Sequence, residues 1–206
     1  INIPKGYRHA ELMFDGAMSE PTITINGKKA GYWAYGYNAF NIDITPFIKE
    51  GNNNLEVALN NVEESSRWYP GGGIYRPVTL ILTNDAHIET WSTFARTVKI
   101  EGAKAYIDVD TKIIGISDTD KVGVEITLYD NKGYVAAACR CNVANDGTVK
   151  TQLDIDNPKL WSPESPYLYK LSTRLYKDNH LEDEQLMNFG IRTISITKER
   201  GFQLNG

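Results

Sequence analysis

The side chains best suited to chemistry in this chain are two aromatic rings beside a guanidinium, in the run Arg67-Trp68-Tyr69. A sugar ring has apolar C–H faces edged by hydroxyls, so a flat amphipathic aromatic next to a bidentate donor suits that kind of ligand. The same rings can instead pack their loop against a neighbouring domain, and for Trp68 both readings stay open. A second concentration of rings, Tyr32, Trp33, Tyr35 and Tyr37, lies in residues 31–40. For Tyr32 and Trp33 packing is the first reading.

Other catalytic constellations are missing, and their absence narrows the field. His9, His87 and His180 have no i,i+4 or short-loop partner, so neither a zinc site nor any other metal or cofactor is expected. No G-x-S-x-G elbow occurs, and Cys139 and Cys141 lie in a predicted strand without a nearby His, so a hydrolytic triad is not expected. One residue apart on one strand face, the two cysteines have Cα atoms near the upper limit for a disulfide and read as two thiols. Gly71-Gly72-Gly73 leads into a strand where a phosphate-cradling loop would need a helix N-terminus, so it reads as a glycine turn. Glu63-Glu64 and Glu182-Asp183-Glu184 read as solvated loop charges. Which acids could pair for glycoside hydrolysis is a matter of geometry.

The elements that must position these residues are strands. Period-2 alternation dominates and 3.6-residue periodicity is nearly absent, which makes the fold all-β. Asn26-Gly27 between apolar runs predicts a two-residue type I′ hairpin. Residues 40–44 alternate so as to bury Phe40, Ile42 and Ile44, after which Thr45-Pro46 predicts an N-cap and a short helical turn. Strands at 54–59 and 77–82 are separated by a loop over residues 60–76, too long for a simple hairpin and holding Arg67-Trp68-Tyr69. A composition break at 83–86 predicts a domain boundary. Beyond it, strands at 95–100, 105–114, 122–129, 134–143, 149–155, 168–176 and 187–196 have the spacing of an immunoglobulin-like sandwich without its inter-sheet disulfide.

Composition agrees with two small folded domains. The 206 residues are 41 % hydrophobic and 23 % charged, outside the regime of disordered chains. Twenty-six acids against 22 basic residues give a net charge of −4, which offers nucleic acid no footprint. The longest apolar run, Val135-Ala136-Ala137-Ala138-Cys139, is far short of the roughly 20 residues a membrane span requires. The first residue is Ile rather than Met, and the last six residues begin a hairpin that stops at Asn205-Gly206, so an excised piece of a longer polypeptide is expected.

Several strings together resemble glycoside hydrolase family 2. Residues 25–32, 40–45 and 66–78, the last containing Ser66-Arg67-Trp68-Tyr69-Pro70-Gly71, are similar to that family's sugar-binding domain. Residues 157–169, with Trp161-Ser162-Pro163, resemble its immunoglobulin-like domain, and Phe189-Gly190-Ile191-Arg192 through 201–206 resembles the crossing into its catalytic (β/α)₈ barrel. The form of the 66–71 string is closest to the β-galactosidase members.

The resemblance implies a partial jelly-roll, galactose-binding-like sandwich over 1–85 that lacks its N-terminal strands, an immunoglobulin-like β-sandwich over 86–197, and the start of the barrel over 198–206. It implies a retaining β-glycosidase whose acid/base and nucleophilic glutamates, about 5 Å apart, both belong to the barrel. No catalytic residue is therefore expected in this chain, which is expected to be inactive alone and to act as an accessory fragment in carbohydrate metabolism. Carbohydrate would be met through the parent's barrel, on which these domains would pack. Some β-galactosidases carry an Asp that contacts galactose and a sodium ion; Arg67 stands at the aligned position, so that ion site is not carried over. Arg67, Trp68 and Tyr69 are the expected pocket-edge contacts to sugar. A periplasmic or secreted bacterial location fits such an enzyme. The alternative is a stand-alone carbohydrate-binding or adhesive module of two sandwiches.

Overall fold

Alternating apolar residues turn most of the chain into strands: in His9–Phe14 every second side chain is buried, as a half-buried strand demands. The structure is a computed structural model that describes residues 1–62, 71–117 and 120–206. It is nearly all β and divides into two compact units, Ile1–Asn84 and Asp85–Gly206.

The first unit contains strands β1 (Asn2–Ile3), β2 (His9–Phe14), β3 (Ala17–Met18), β4 (Thr22–Ile25), β5 (Lys28–Tyr32) and β6 (Phe40–Asp43). A 3₁₀ turn over Thr45–Phe47 follows, then β7 (Gly51–Asn52), β8 (Leu55–Ala58), β9 (Gly73–Ile74) and β10 (Val78–Thr83). Two three-stranded sheets, β10-β2-β6 and β5-β4-β8, share one core of Leu12, Phe14, Ile23, Ile25, Phe40 and Ile44. Ile42 is half-buried against it. Asn26 and Gly27 have φ of 51° and 78°, with Ile25 opposite Lys28, so the hairpin loop has the two positive φ angles that a type I′ turn requires.

The N-cap expectation at Thr45 is corrected. Ile44 occupies the cap position without a side-chain cap bond, and Thr45 is the first residue of the turn. The Thr45 hydroxyl instead accepts the Ala10 N–H at 3.0 Å and lies 3.1 Å from His9 Nδ1, while Asp43 Oδ1 accepts the Thr45 N–H at 2.9 Å. A cross-strand donor on β2 thus competes successfully with the local one.

The second unit contains β11 (His87–Ile88), β12 (Phe94–Glu101), β13 (Lys104–Ile114), β14 (Val122–Tyr129), β15 (Val135–Cys141), β16 (Thr148–Asp156), β17 (Tyr169–Lys177), β18 (His180–Phe189), β19 (Ile194–Thr197) and β20 (Gly201–Leu204). β13 is flanked by β12 and β16 in one sheet, and the other runs β15-β14-β17-β18. Ile107, Val109, Val149 and Leu153 from the first meet Val124, Ile126, Leu128, Leu171 and Leu175 from the second in a single core. The unit is therefore a sandwich of two sheets.

Here too the sequence reading needs correction. The strand expected at 187–196 is two strands, and β18 begins at His180, so Glu182-Asp183-Glu184 lie within a strand. Asp183 Oδ2 accepts the Ile88 N–H at 2.9 Å, and Glu184 Oε1 accepts Ser172 Oγ at 2.9 Å and Arg174 Nε at 2.8 Å. Partners on neighbouring strands engage the charge that the sequence alone assigns to solvent.

These contacts give the second unit an acid-sensitive stability. Burial pushes the Glu184 carboxyl up, but hydrogen bonds from Arg174 and Ser172 together with the Arg174 charge outweigh it and leave the group below the ordinary range. The Ser117 backbone N–H, and then Lys177, hold Asp120 down in the same way. Both groups bind protons more weakly folded than unfolded, so their stabilisation is complete above the ordinary carboxylate pKa and is lost as pH falls through the lowered values. Thermal unfolding followed by circular dichroism is expected to be flat from pH 7 to about 5 and to weaken below about 4. Glu184→Gln is expected to flatten that decline.

Candidate functional site

Arg67, Trp68 and Tyr69 fall within 63–70, outside the described residues, so the structure defines the frame that holds them. On the entering side the Asn60 N–H donates to Ser19 O at 2.9 Å, Ser19 Oγ donates to Asn60 O at 2.6 Å, and Asn60 Nδ2 donates to Glu20 Oε2 at 2.7 Å. On the leaving side β9 pairs antiparallel with β3, Ala17 opposite Ile74 and Met18 opposite Gly73. Both stems of the long loop are thus fastened to one short segment, residues 17–20. The glycine run feeds β9, as the glycine-turn reading expects.

Tyr75 ties this frame to the aromatic run. Its hydroxyl donates to Gly36 O at 2.8 Å, and its ring passes so close to Gly16 that an added Cβ would lie 2.6 Å from it. The Arg76 guanidinium stands 5.4 Å from the Tyr75 ring centroid, a cation–π distance. The stems, the β3 segment and residues 33–37 therefore form one loop cluster. Sequence reasoning missed Tyr75; its placement between the glycine turn and Arg76-Pro77 was the available signal.

Within the cluster the rings divide into two roles. Trp33 stacks on Phe40 at 5.5 Å and 9°, and Phe40 stacks on Phe14 at 4.8 Å and 4°, so Trp33 extends the core of its own unit. Tyr32 is partly exposed, with Lys29 Nζ 5.4 Å from its ring centroid. Tyr35 and Tyr37, tilted at 58° with centroids 5.6 Å apart, are 55 % and 49 % exposed. Those two rings present free aromatic surface beside the long loop's anchorage, and an amphipathic ring of this kind offers an apolar face and a polar edge to a sugar.

Covalent and metal chemistry find little purchase among the described residues. The free thiols of Cys139 and Cys141 lie 3.2 Å apart, well beyond the S–S bond length of about 2.05 Å. Burial, and then the hydrogen bond with Cys139, push the Cys141 thiol up to about 11, so it is protonated near neutrality and a poor nucleophile. No three His, Cys, Asp or Glu side chains among the described residues gather as a metal site would require. No helix among them is long and apolar enough to cross a membrane.

Comparison with known proteins gives this frame a context. The profile of glycosyl hydrolases family 2 matches residues 86–192, just over half of the chain. A putative beta-glucuronidase of Formosa agariphila is 36 % identical over 196 residues, covering 95 % of this chain and 19 % of that protein. Beta-galactosidase BoGH2A of Bacteroides ovatus is 35 % identical over 202 residues, covering 95 % of this chain and 24 % of its own length. Among solved structures, a glycosyl hydrolase family 2 member from Bacteroides cellulosilyticus superposes with a TM-score of 0.92 at 33 % identity, over 100 % of this chain and 28 % of that one. The chain spans about a quarter or less of the curated relatives it matches here.

Proposed function

Because the chain belongs to glycosyl hydrolases family 2, we propose that it is the non-catalytic accessory part of a retaining β-glycosidase acting on terminal β-glycosides, of the β-galactosidase kind. The first unit is read as a partial jelly-roll over 1–85 and the second as an immunoglobulin-like sandwich over 86–197. Retaining hydrolysis needs two carboxyl groups about 5 Å apart, and this reading assigns both to a (β/α)₈ barrel elsewhere in the parent, entered over 198–206. The barrel would pack on the β19–β20 hairpin. Its pairs Ile194–Leu204 and Ile196–Phe202 set apolar side chains opposite one another, and Ile196 and Phe202 are 75 % and 65 % exposed.

One observation carries the reading of the first unit: both stems of the 60–76 loop are anchored on residues 17–20, beside exposed tyrosines. A loop so held can carry Arg67, Trp68 and Tyr69 to the edge of a substrate pocket, Arg67 donating to sugar hydroxyls and Trp68 and Tyr69 offering ring faces. Arg67→Ala in the full-length parent is expected to lower kcat/KM by about 10- to 100-fold, the worth of a charge-assisted hydrogen bond. Steady-state kinetics on an aryl β-galactoside test this, and unchanged constants would remove the assignment.

The exposure of Tyr35 and Tyr37 favours a second reading, a stand-alone carbohydrate-binding or adhesive module. The polypeptide encoded beyond Asn205-Gly206 discriminates: several hundred residues of alternating strands and helices support the first reading, a stop codon the second.

A further inference from the structure

At one corner of the second unit, residues 89–92 form a turn closed by the Ser92 N–H on Glu89 O at 3.1 Å. Its third residue is Trp91, with φ of +63°. A positive φ at that turn position favours Gly or Asn, which adopt it with least strain. A bulky aromatic there is strained, and Trp91 is 55 % exposed, so burial does little to offset the strain. The corner is nonetheless firmly held: the Glu89 N–H donates to Lys112 O at 2.9 Å and Ser92 Oγ accepts the Lys112 N–H at 3.2 Å. The turn therefore holds the Trp91 backbone in place and leaves its indole half-exposed.

Beside that indole lies a cleft of about 210 Å³ lined by Trp91, Thr93, Thr173, Gln185, Leu186 and Met187. It is smaller than the roughly 300 Å³ at the lower end for drug-sized ligands, which limits an occupant to a single small ring. None of the six side chains is charged. The Thr173 side chain is 1 % exposed, and its hydroxyl has no hydrogen-bond partner. The Gln185 amide is oriented by donating to Ile88 O at 3.1 Å and accepting Thr93 Oγ1 at 3.4 Å, which leaves one N–H and one lone pair. Thr93 Oγ1 in turn lies 2.9 Å from Thr111 Oγ1.

We infer that this cleft binds one neutral pyranose ring of a carbohydrate, its C–H face on Trp91 and its hydroxyls on Gln185. An aromatic platform beside an amide with a spare donor and acceptor matches a ring that is apolar on its faces and hydroxylated at its edge. A uronate is disfavoured, because its carboxylate would be desolvated among uncharged side chains with Asp183 two residues from Gln185. The inference does not rest on the proposed hydrolysis: the site lies wholly in the second unit and involves none of Arg67, Trp68 or Tyr69.

The test is an NMR titration of the 206-residue chain with methyl β-galactopyranoside, reading the Trp91 indole N–H and the Gln185 side-chain amide. A saturable shift of both is expected, with a Kd on the order of 1 mM. Followed at Gln185, Trp91→Ala is expected to weaken binding at least tenfold, and followed at the Trp91 indole, Gln185→Ala about fivefold. Methyl β-glucuronide is expected to bind at least tenfold more weakly. In the full-length parent labelled with 5-fluorotryptophan, the Trp91 fluorine signal should respond to the same galactoside. No saturable shift, affinity unmoved by both substitutions, equal binding of the glucuronide, or a silent Trp91 in the parent would each overturn the inference. Loss of hydrolysis in the parent would leave it standing.

Discussion

Incubated with aryl β-galactosides and β-glucuronides, the purified 206-residue chain is expected to release no sugar under conditions in which its full-length parent turns over. Glycosidases are among the enzymes whose acceleration exceeds about a million-fold, and that factor depends on a placed pair of carboxyl groups, one of them protonated at working pH. A general acid of this kind needs its pKa raised towards neutrality. The carboxyls whose pKa is displaced among the described residues move the other way: Asp108, Asp120, Asp146, Asp154, Glu164 and Glu184 are all held below their ordinary range by hydrogen bonds or neighbouring cations. Glu184 shows the reason, being engaged by Ser172 and Arg174 as part of the sheet. On the accessory reading proposed above, the chain's rate is expected to lie at least about 10⁶-fold below the parent's. Turnover within a thousandfold of the parent, retained after a second independent purification, would refute the accessory reading and place the chemistry in these two sandwiches.

How far the sequence could be read depended on whether the determining contact was local. Val124, Ile126 and Leu128 alternate along β14 and are all buried, and Asn26-Gly27 carries its turn geometry in two adjacent residues. Glu182-Asp183-Glu184 could not be read as strand, because what engages Asp183 and Glu184 there is Ile88, Ser172 and Arg174, up to 95 residues away in the chain. Thr45 was misassigned for the same reason, since its hydroxyl answers to Ala10 across 35 residues. The candidate site follows this pattern. That rings and a guanidinium cluster near residue 68 is visible in the sequence; that Asn60 closes on Ser19, 41 residues away, and that Tyr75 reaches Gly36 across 39, is not. Turn chemistry and alternation are one-dimensional signals, whereas loop anchorage depends on hydrogen bonds whose partners only the fold brings together.

The aromatic stack that links the core to this loop cluster gives the second large effect. Phe40→Ala is expected to destabilise the first unit by about 3–5 kcal/mol, the cost of removing a buried phenyl ring and leaving a cavity. Phe40 is 1 % exposed and lies between Phe14 and Trp33, so its loss removes two stacked ring contacts, each worth about 0.5–1.5 kcal/mol beyond area burial. In urea, at about 1–3 kcal/mol per molar, the first unit's midpoint should fall by more than about 1 M. Tryptophan fluorescence resolved from far-UV circular dichroism should show the second unit's transition in place, because its core draws on none of these rings. Tyr35→Ala, at a half-exposed position, is expected to change stability by no more than about 0.5 kcal/mol. The contrast separates two ways of weakening the loop cluster. Phe40→Ala acts from below, freeing Trp33 and with it the segment whose Gly36 carbonyl holds Tyr75; Tyr35→Ala removes exposed ring surface and leaves that hold intact. Should Phe40→Ala cost less than about 1 kcal/mol, the stack would be an incidental contact and the cluster would have to draw its order from the Asn60 and Tyr75 hydrogen bonds alone.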